Sequence, residues 1–209
     1  MVSRRRSGGD DIGRRGSFRE SMHRILVVCE GRETERRYLE SFRQEVRNPR
    51  VRLTIARETG VPLTVVTEAI RLKDDAEQSA KRERDVNLRY DDVWAVFDVD
   101  EHPKLAEACE IADRNGIQLA VSNPCFELWA LLHFQEQRAH IERHKARAAV
   151  QSHMPGYDKH LDFPKMHPGY AAAVRRAGGL VGEAARHGAP RRNPTTEVYR
   201  LTELIRSSG

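Results

Sequence analysis

The chain has no apolar run close to the roughly 18 residues that a membrane-spanning helix requires. Its Arg-rich start runs into Gly, Asp and further Arg rather than an apolar segment, so no secretory signal is expected there. Cysteine is scarce. Cys29, Cys109 and Cys125 form no C-x-x-C pair, and an odd number at unrelated spacings argues against a disulfide framework. The expectation is three reduced, buried thiols in a soluble, cytoplasmic protein that needs no membrane. No internal repeat is visible. What the 209 residues do contain is charge, 32% of the total, against 39% apolar residues. That balance is polar but still sufficient to bury a core.

The formal net charge of +5 is unevenly spread. Residues 1–24 contribute +4, residues 25–134 contribute −5 and residues 135–209 contribute +6. An acidic middle therefore lies between two basic flanks, and basic segments are where a polyanion is gripped by counterion release.

Residues 1–21 are rich in Arg, Ser and Gly without periodicity and read as a disordered basic tail. Ile25-Leu26-Val27-Val28-Cys29 is a continuous apolar run of strand length, the signature of a strand covered on both faces. Thr34 to Arg47 reads as a helix ended by Asn48-Pro49, and Val51, Leu53 and Ile55 alternate as a second strand. Pro62 suits a first helical turn, with Leu63 to about Arg84 helical behind it. Val93 to Asp98 is a third apolar strand. Pro103 opens a helix that stops at Asn115-Gly116, and Ile117 to Val121 is a fourth strand. Ser122-Asn123-Pro124 reads as the cap of a helix carrying Phe126, Leu128, Trp129, Leu131 and Leu132. Beyond Gln135 no strand signal appears. Segments 137–151, 169–187 and 194–206 look helical, with Gly178-Gly179-Leu180-Val181-Gly182 read as a helix break. Four β–α units in succession imply a small parallel sheet sandwiched by helices, residues 22–134, followed by a helical C-terminal subdomain, residues 135–209.

In such sheets the reactive groups gather beyond the carboxyl ends of the strands. The first strand ends in Glu30 and the third in Asp98-Val99-Asp100. Side chains alternate along a strand, so Asp98 and Asp100 share a side, and if the first and third strands are neighbours Glu30 faces that pair across about 5 Å. Three converging carboxylates repel one another unless a cation neutralises them. A hard divalent ion such as Mg2+ (or Mn2+) fits that donor set, which points to metal-assisted phosphoryl chemistry. A D-x-D sequence by itself is a weak signal, because acidic residues often follow a strand; its pairing with Glu30-Gly31 strengthens it.

The Glu-Gly and D-x-D pair resembles the Toprim fold of topoisomerases, primases and related nucleases. The wording around it is more specific: Val27-Val28-Cys29-Glu30-Gly31-Arg32-Glu33-Thr34-Glu35, Phe97-Asp98-Val99-Asp100-Glu101-His102, and Ser122-Asn123-Pro124-Cys125-Phe126-Glu127-Leu128-Trp129 with Leu132-His133-Phe134. These segments, with Asn193-Pro194-Thr195-Thr196, resemble the RloB-like family. The resemblance implies a Toprim-like (Rossmann-like) catalytic domain associated with restriction and phage defence, often beside a partner ATPase. It also implies Glu30 as general acid/base or metal ligand and Asp98 and Asp100 as Mg2+ ligands. Glu35 resembles a second metal-binding glutamate, one residue later than the E-G-x-x-E spacing, and Glu127 and His102 are further candidate ligands.

Other readings of the same residues carry less. A haloacid-dehalogenase phosphatase places D-x-D after the first strand, not the third, and nothing else suggests the nucleotide-sugar pocket of a glycosyltransferase. His140 and His144 lack the Glu of a zincin pair and read as a solvated helix face. Phe126, Trp129 and Phe134 read as core, and Cys125 and His133 as buried packing. Arg175, Arg176, Arg191 and Arg192, with Tyr157, Lys159 and Lys165, are expected to form a basic wall beside the acidic site, and Arg32 is a further expected nucleic-acid-binding residue. The expected function is a Mg-dependent nuclease cleaving DNA or RNA, tRNA included. The alternative is a non-catalytic nucleic-acid-binding or regulatory subunit of an ATPase-containing complex, and an oligomer is compatible with either.

Overall fold

The computed structural model describes residues 22–31, 33–57, 60–99 and 104–208. The basic tail, Arg32, and residues 100–103, which include Asp100 and His102, lie outside the described residues. Strands and helices alternate through the first part of the chain: β1 (His23–Cys29), α1 (Thr34–Val46), β2 (Val51–Arg57), α2 (Pro62–Glu83), β3 (Asp92–Asp98), α3 (Leu105–Arg114), β4 (Gln118–Asn123) and α4 (Glu127–Leu132). The unbroken apolar run of β1 is explained by burial on both sides. Ile25, Val27 and Cys29 join one core with Tyr38, Leu39 and Phe42 of α1 and with α4. Leu26 and Val28 join a second core with Val65, Val66 and Ala69 of α2 and Ala108 and Ala112 of α3. Each Val, Leu, Ile or Phe side chain among these contributes about 1.5–3 kcal/mol by leaving water.

The sheet order is β2-β1-β3-β4-β5, with the first four strands parallel. The chain leaves β1 for β2 on one side and later places β3 on the other. The crevice beyond the carboxyl ends of β1 and β3 is therefore the topological switch point, where doubly wound sheets bind ligands. The architecture is a Rossmann-like α/β fold with a mostly parallel sheet flanked by helices.

The C-terminal part consists of α5 (Arg143–His153), α6 (Phe163–Met166), α7 (Tyr170–Arg186), β5 (Thr195–Thr196) and α8 (Val198–Ser207). These helices cover the α1/α4 side of the sheet. Val150, Met166, Ala173, Leu201 and Ile205 belong to the same apolar cluster as Ile25 and Trp129. Asn48 Nδ2 donates to the carbonyls of Ile205 (3.2 Å) and Ser208 (2.8 Å), which pins the chain end against the turn before β2. Among the described residues no helix is long and apolar enough to cross a membrane.

Several local expectations are corrected. A strand does follow Gln135: β5 pairs antiparallel with β4, Ser122 opposite Thr196 and Asn123 opposite Thr195. Two residues carry no periodicity, so the pattern could not announce it. That pairing also reassigns Ser122 and Asn123 from helix cap to strand end. Ser122 Oγ and Thr196 Oγ1 are 2.8 Å apart, Asn123 Nδ2 donates to the Arg191 carbonyl at 2.7 Å, and α4 begins without a side-chain cap. Residues 137–142 are not helical, so His140 lies outside α5. The glycines at 178, 179 and 182 lie inside a continuous α7, whose buried Ala173, Ala177, Leu180 and Ala184 hold it against the core. Packing overrides glycine's low helix propensity there. Cys29 and Cys125 are buried, whereas Cys109 is only partly so; all three are free thiols.

One glycine is required by close approach. A Cβ at Gly169 would stand 2.0 Å from the His133 carbonyl oxygen, so the start of α7 reaches the end of α4 only because residue 169 has no side chain.

Candidate active site

The carboxylates come from four elements. Glu30 follows β1, and its backbone N–H continues the ladder by donating to the Val96 carbonyl at 2.9 Å. Its side chain then turns across to β3, where Glu30 Oε2 accepts the Asp98 backbone N–H at 3.2 Å. Asp98 is the last residue of β3, and its side chain is only 13% exposed. Glu35 sits in the first turn of α1 and is buried. Its carboxylate packs directly over Gly31: a Cβ on Gly31 would be 1.7 Å from Glu35 Oε2. The Glu-Gly step is thereby explained physically, because glycine leaves the space that the second glutamate fills. Glu127 opens α4, and Tyr157 donates its hydroxyl to Glu127 Oε1 at 3.1 Å.

The electrostatics follow from burial and crowding. Burial pushes the Asp98 carboxyl well above the usual carboxylate range; Glu35, Glu127 and Glu30 push it further, and the Arg143 guanidinium opposes them. Glu35 is raised as well, again first by burial, with a hydrogen bond from its own backbone and Arg143 opposing and Glu127 and Glu30 adding. Burial and the neighbouring Glu127 and Asp98 carboxylates also raise the Cys125 thiol, which therefore stays protonated and unreactive. Arg143 is the cation that holds this group together. It is the first residue of α5, and its Nη2 lies 3.3 Å from Asp98 Oδ2 and 3.4 Å from the Pro124 carbonyl. The C-terminal helical part thus reaches back into the sheet crevice. Beside it, the loop after α5 is tied down by Thr34 Oγ1, which donates to the Lys159 carbonyl at 3.3 Å.

Sequence reasoning placed Glu30, Asp98, Glu35 and Glu127 in one site, and the fold brings these four together. Asp100, His102 and Arg32 lie outside the described residues. It missed Arg143, which no spacing connects to Asp98, and it placed Tyr157 in a basic wall when its hydroxyl is spent on Glu127. The other basic residues do not assemble into one wall. Arg175 and Arg176 line a recess on α7, and Lys159 and Lys165 are exposed elsewhere. Arg191 is engaged by Glu197 (3.3 Å), and Arg192 by Glu183 (2.8 Å).

An oxygen-only set of crowded carboxylates has the chemistry of a hard-cation site. Among the described residues, however, no group of three or more His, Cys, Asp or Glu side chains is arranged to hold a metal ion. The fold and site together define a Rossmann-like α/β protein with an acidic crevice at its switch point. The chain matches the family model described as RloB-like protein over residues 25–205, and it belongs to that family. No curated protein and no solved structure matches it.

Proposed function

We propose that this RloB-like protein is a Mg2+-dependent nuclease that cleaves phosphodiester bonds of DNA or RNA, acting in phage defence. The observation that carries the reading is the crowding of Glu30, Glu35, Asp98 and Glu127 at the β1/β3 switch point with Arg143 as their shared counter-charge. Structure alone gives no reason to bury carboxylates that raise each other's pKa, whereas a site for a cation and a polyanion does. Glu30 and Asp98 would hold the ion, with Asp100 two residues further along the chain. A bound Mg2+ would neutralise these carboxylates and polarise a phosphodiester. Glu35, kept close by Gly31, and Glu127, oriented by Tyr157, would hold water or protons at the rim. Arg143, beside Asp98 at 3.3 Å, would offer its guanidinium to a phosphate oxygen brought to the same crevice.

A second reading is favoured by one specific observation. Arg143 already contacts Asp98, and a resident guanidinium suits a protein that keeps the fold as a nucleic-acid-binding or regulatory subunit beside a partner ATPase. A cleavage screen separates the two: pure protein with plasmid, single-stranded DNA and total tRNA, in Mg2+ or Mn2+. Metal-dependent products that vanish with Asp98→Asn support the nuclease; silence on every substrate supports the subunit.

A further inference from the structure

Away from the acidic crevice, a recess of about 400 Å³ opens on α7. Arg138, Arg175, Arg176 and Arg186 line it, against Glu136 and Glu183. The glutamates do not neutralise it evenly. Arg138 takes Glu136 at 3.0 Å, and Glu183 is taken from outside the recess by Arg192 at 2.8 Å. Arg176 is spent on structure, donating to the Leu132 carbonyl at the end of α4 at 2.7 Å. Arg175 and Arg186 are exposed and have no ion-pair or hydrogen-bond partner among the described residues. The floor is kept open by Ala172 and Gly179, and a Cβ on Gly179 would meet no atom within 4 Å. Two unpartnered guanidiniums beside an open recess suit a phosphodiester backbone, and their separation of about 16 Å along α7 (11 residues at about 1.5 Å) fits phosphates about five nucleotides apart on one strand rather than a single phosphate.

The position adds to this. The six residues of α4 run from Glu127, in the acidic site, to Leu132, at the recess. A helix of that length spans about 9 Å, or about three nucleotides at 3.4 Å of rise per nucleotide. We infer that the α7 recess binds the sugar–phosphate backbone of a nucleic-acid strand whose scissile bond lies at the acidic crevice, with Arg175 and Arg186 on its phosphates. This rests on the nuclease reading for its orientation, but binding itself is measured without cleavage.

The test is fluorescence anisotropy of a labelled single-stranded 20-mer with the full chain in EDTA, titrated from 50 to 200 mM NaCl. Arg175→Gln with Arg186→Gln removes the two unpartnered arginines and leaves the structural Arg176 in place. Arg82→Gln with Arg114→Gln removes the same charge from exposed positions on α2 and α3. The recess variant is expected to bind on the order of 10-fold more weakly at low salt, with a log–log salt slope smaller by about 1.4. The α2/α3 variant is expected to follow wild type. A thermal melt matching wild type shows that the recess variant is folded; for one that melts early, Arg175→Lys with Arg186→Lys must restore the slope. Equal slopes for both variants, or no binding by wild type, overturn the assignment. Displacement by inorganic phosphate beyond that of NaCl at equal ionic strength also overturns it, by identifying a free-phosphate site. Binding with the expected slopes but no cleavage in any metal keeps the recess and removes the nuclease reading; cleavage with equal slopes does the reverse.

Discussion

Replacing Asp98 by Asn changes one oxygen to nitrogen at a side chain that is 13% exposed, so packing is preserved and charge is not. Burial and three neighbouring carboxylates raise Asp98 well above its ordinary value, and only Arg143 opposes them. An acid whose folded pKa is raised favours the folded state while protonated. Its stabilising effect is complete below the unfolded value, about pH 3.9, and is lost as pH rises through the folded value. At pH 7.5, above the unfolded value, the wild type therefore bears a folding cost, met either by burying the anion or by taking up a proton, of about 1–3 kcal/mol. Asn removes that cost but also removes a bridge to Arg143, whose side chain is 49% exposed and can turn to water, a loss of about 1 kcal/mol at most. The net expectation is a gain of about 1–2 kcal/mol at pH 7.5, or roughly 2–8 °C in Tm for a chain of this size. The gain should close near pH 4, where Asn and protonated Asp are equivalent. Thermal unfolding of both proteins at pH 7.5 and pH 4 reads this directly. A variant less stable than wild type at pH 7.5 would falsify the reasoning, because Asp98 would then be a structural ion-pair partner of Arg143.

Other substitutions test the geometry around that cluster. Gly31→Ala must displace the Glu35 carboxylate, which stands 1.7 Å from the added Cβ. Because the displaced group is the end of a flexible side chain, stability should fall by no more than about 1–2 kcal/mol while divalent-cation affinity by calorimetry falls sharply. Gly169→Ala instead strikes the backbone carbonyl of His133 at 2.0 Å, and chemical denaturation should show a loss of about 2–3 kcal/mol. Tyr157→Phe removes one hydrogen bond to a carboxylate and should cost about 1.5–3 kcal/mol if that bond is as strong as its charge implies. An unchanged urea midpoint would show Glu127 indifferent to Tyr157.

The parts legible in the sequence were those set by local pattern. Strands buried on both faces read as apolar runs, and their ends marked Glu30 and Asp98; that β1 and β3 are neighbours is supplied by the sheet order. Glu35 lay one residue beyond the expected spacing, yet it reaches the site because Gly31 clears its path. Arg143 was illegible for the opposite reason. It lies 45 residues beyond Asp98, opens a helix after an irregular loop, and meets its partner only through the packing of α5 on the sheet. The glycines of α7 and the two-residue β5 failed in the same way, since tertiary contacts and not propensity decide them. The basic residues were countable in the sequence, but the fold sorts them. Arg191 and Arg192 stabilise local ion pairs, and Arg175 faces an open recess.

The central claim is that the carboxylates at the β1/β3 switch point hold a divalent cation. Titration calorimetry of Mn2+ into the full chain at pH 7.5, with wild type and Asp98→Asn side by side, measures that claim before any substrate is known. The account predicts saturable binding to wild type and its loss in Asp98→Asn, with the variant still folded. Equal binding by both proteins, or none by wild type, would contradict it.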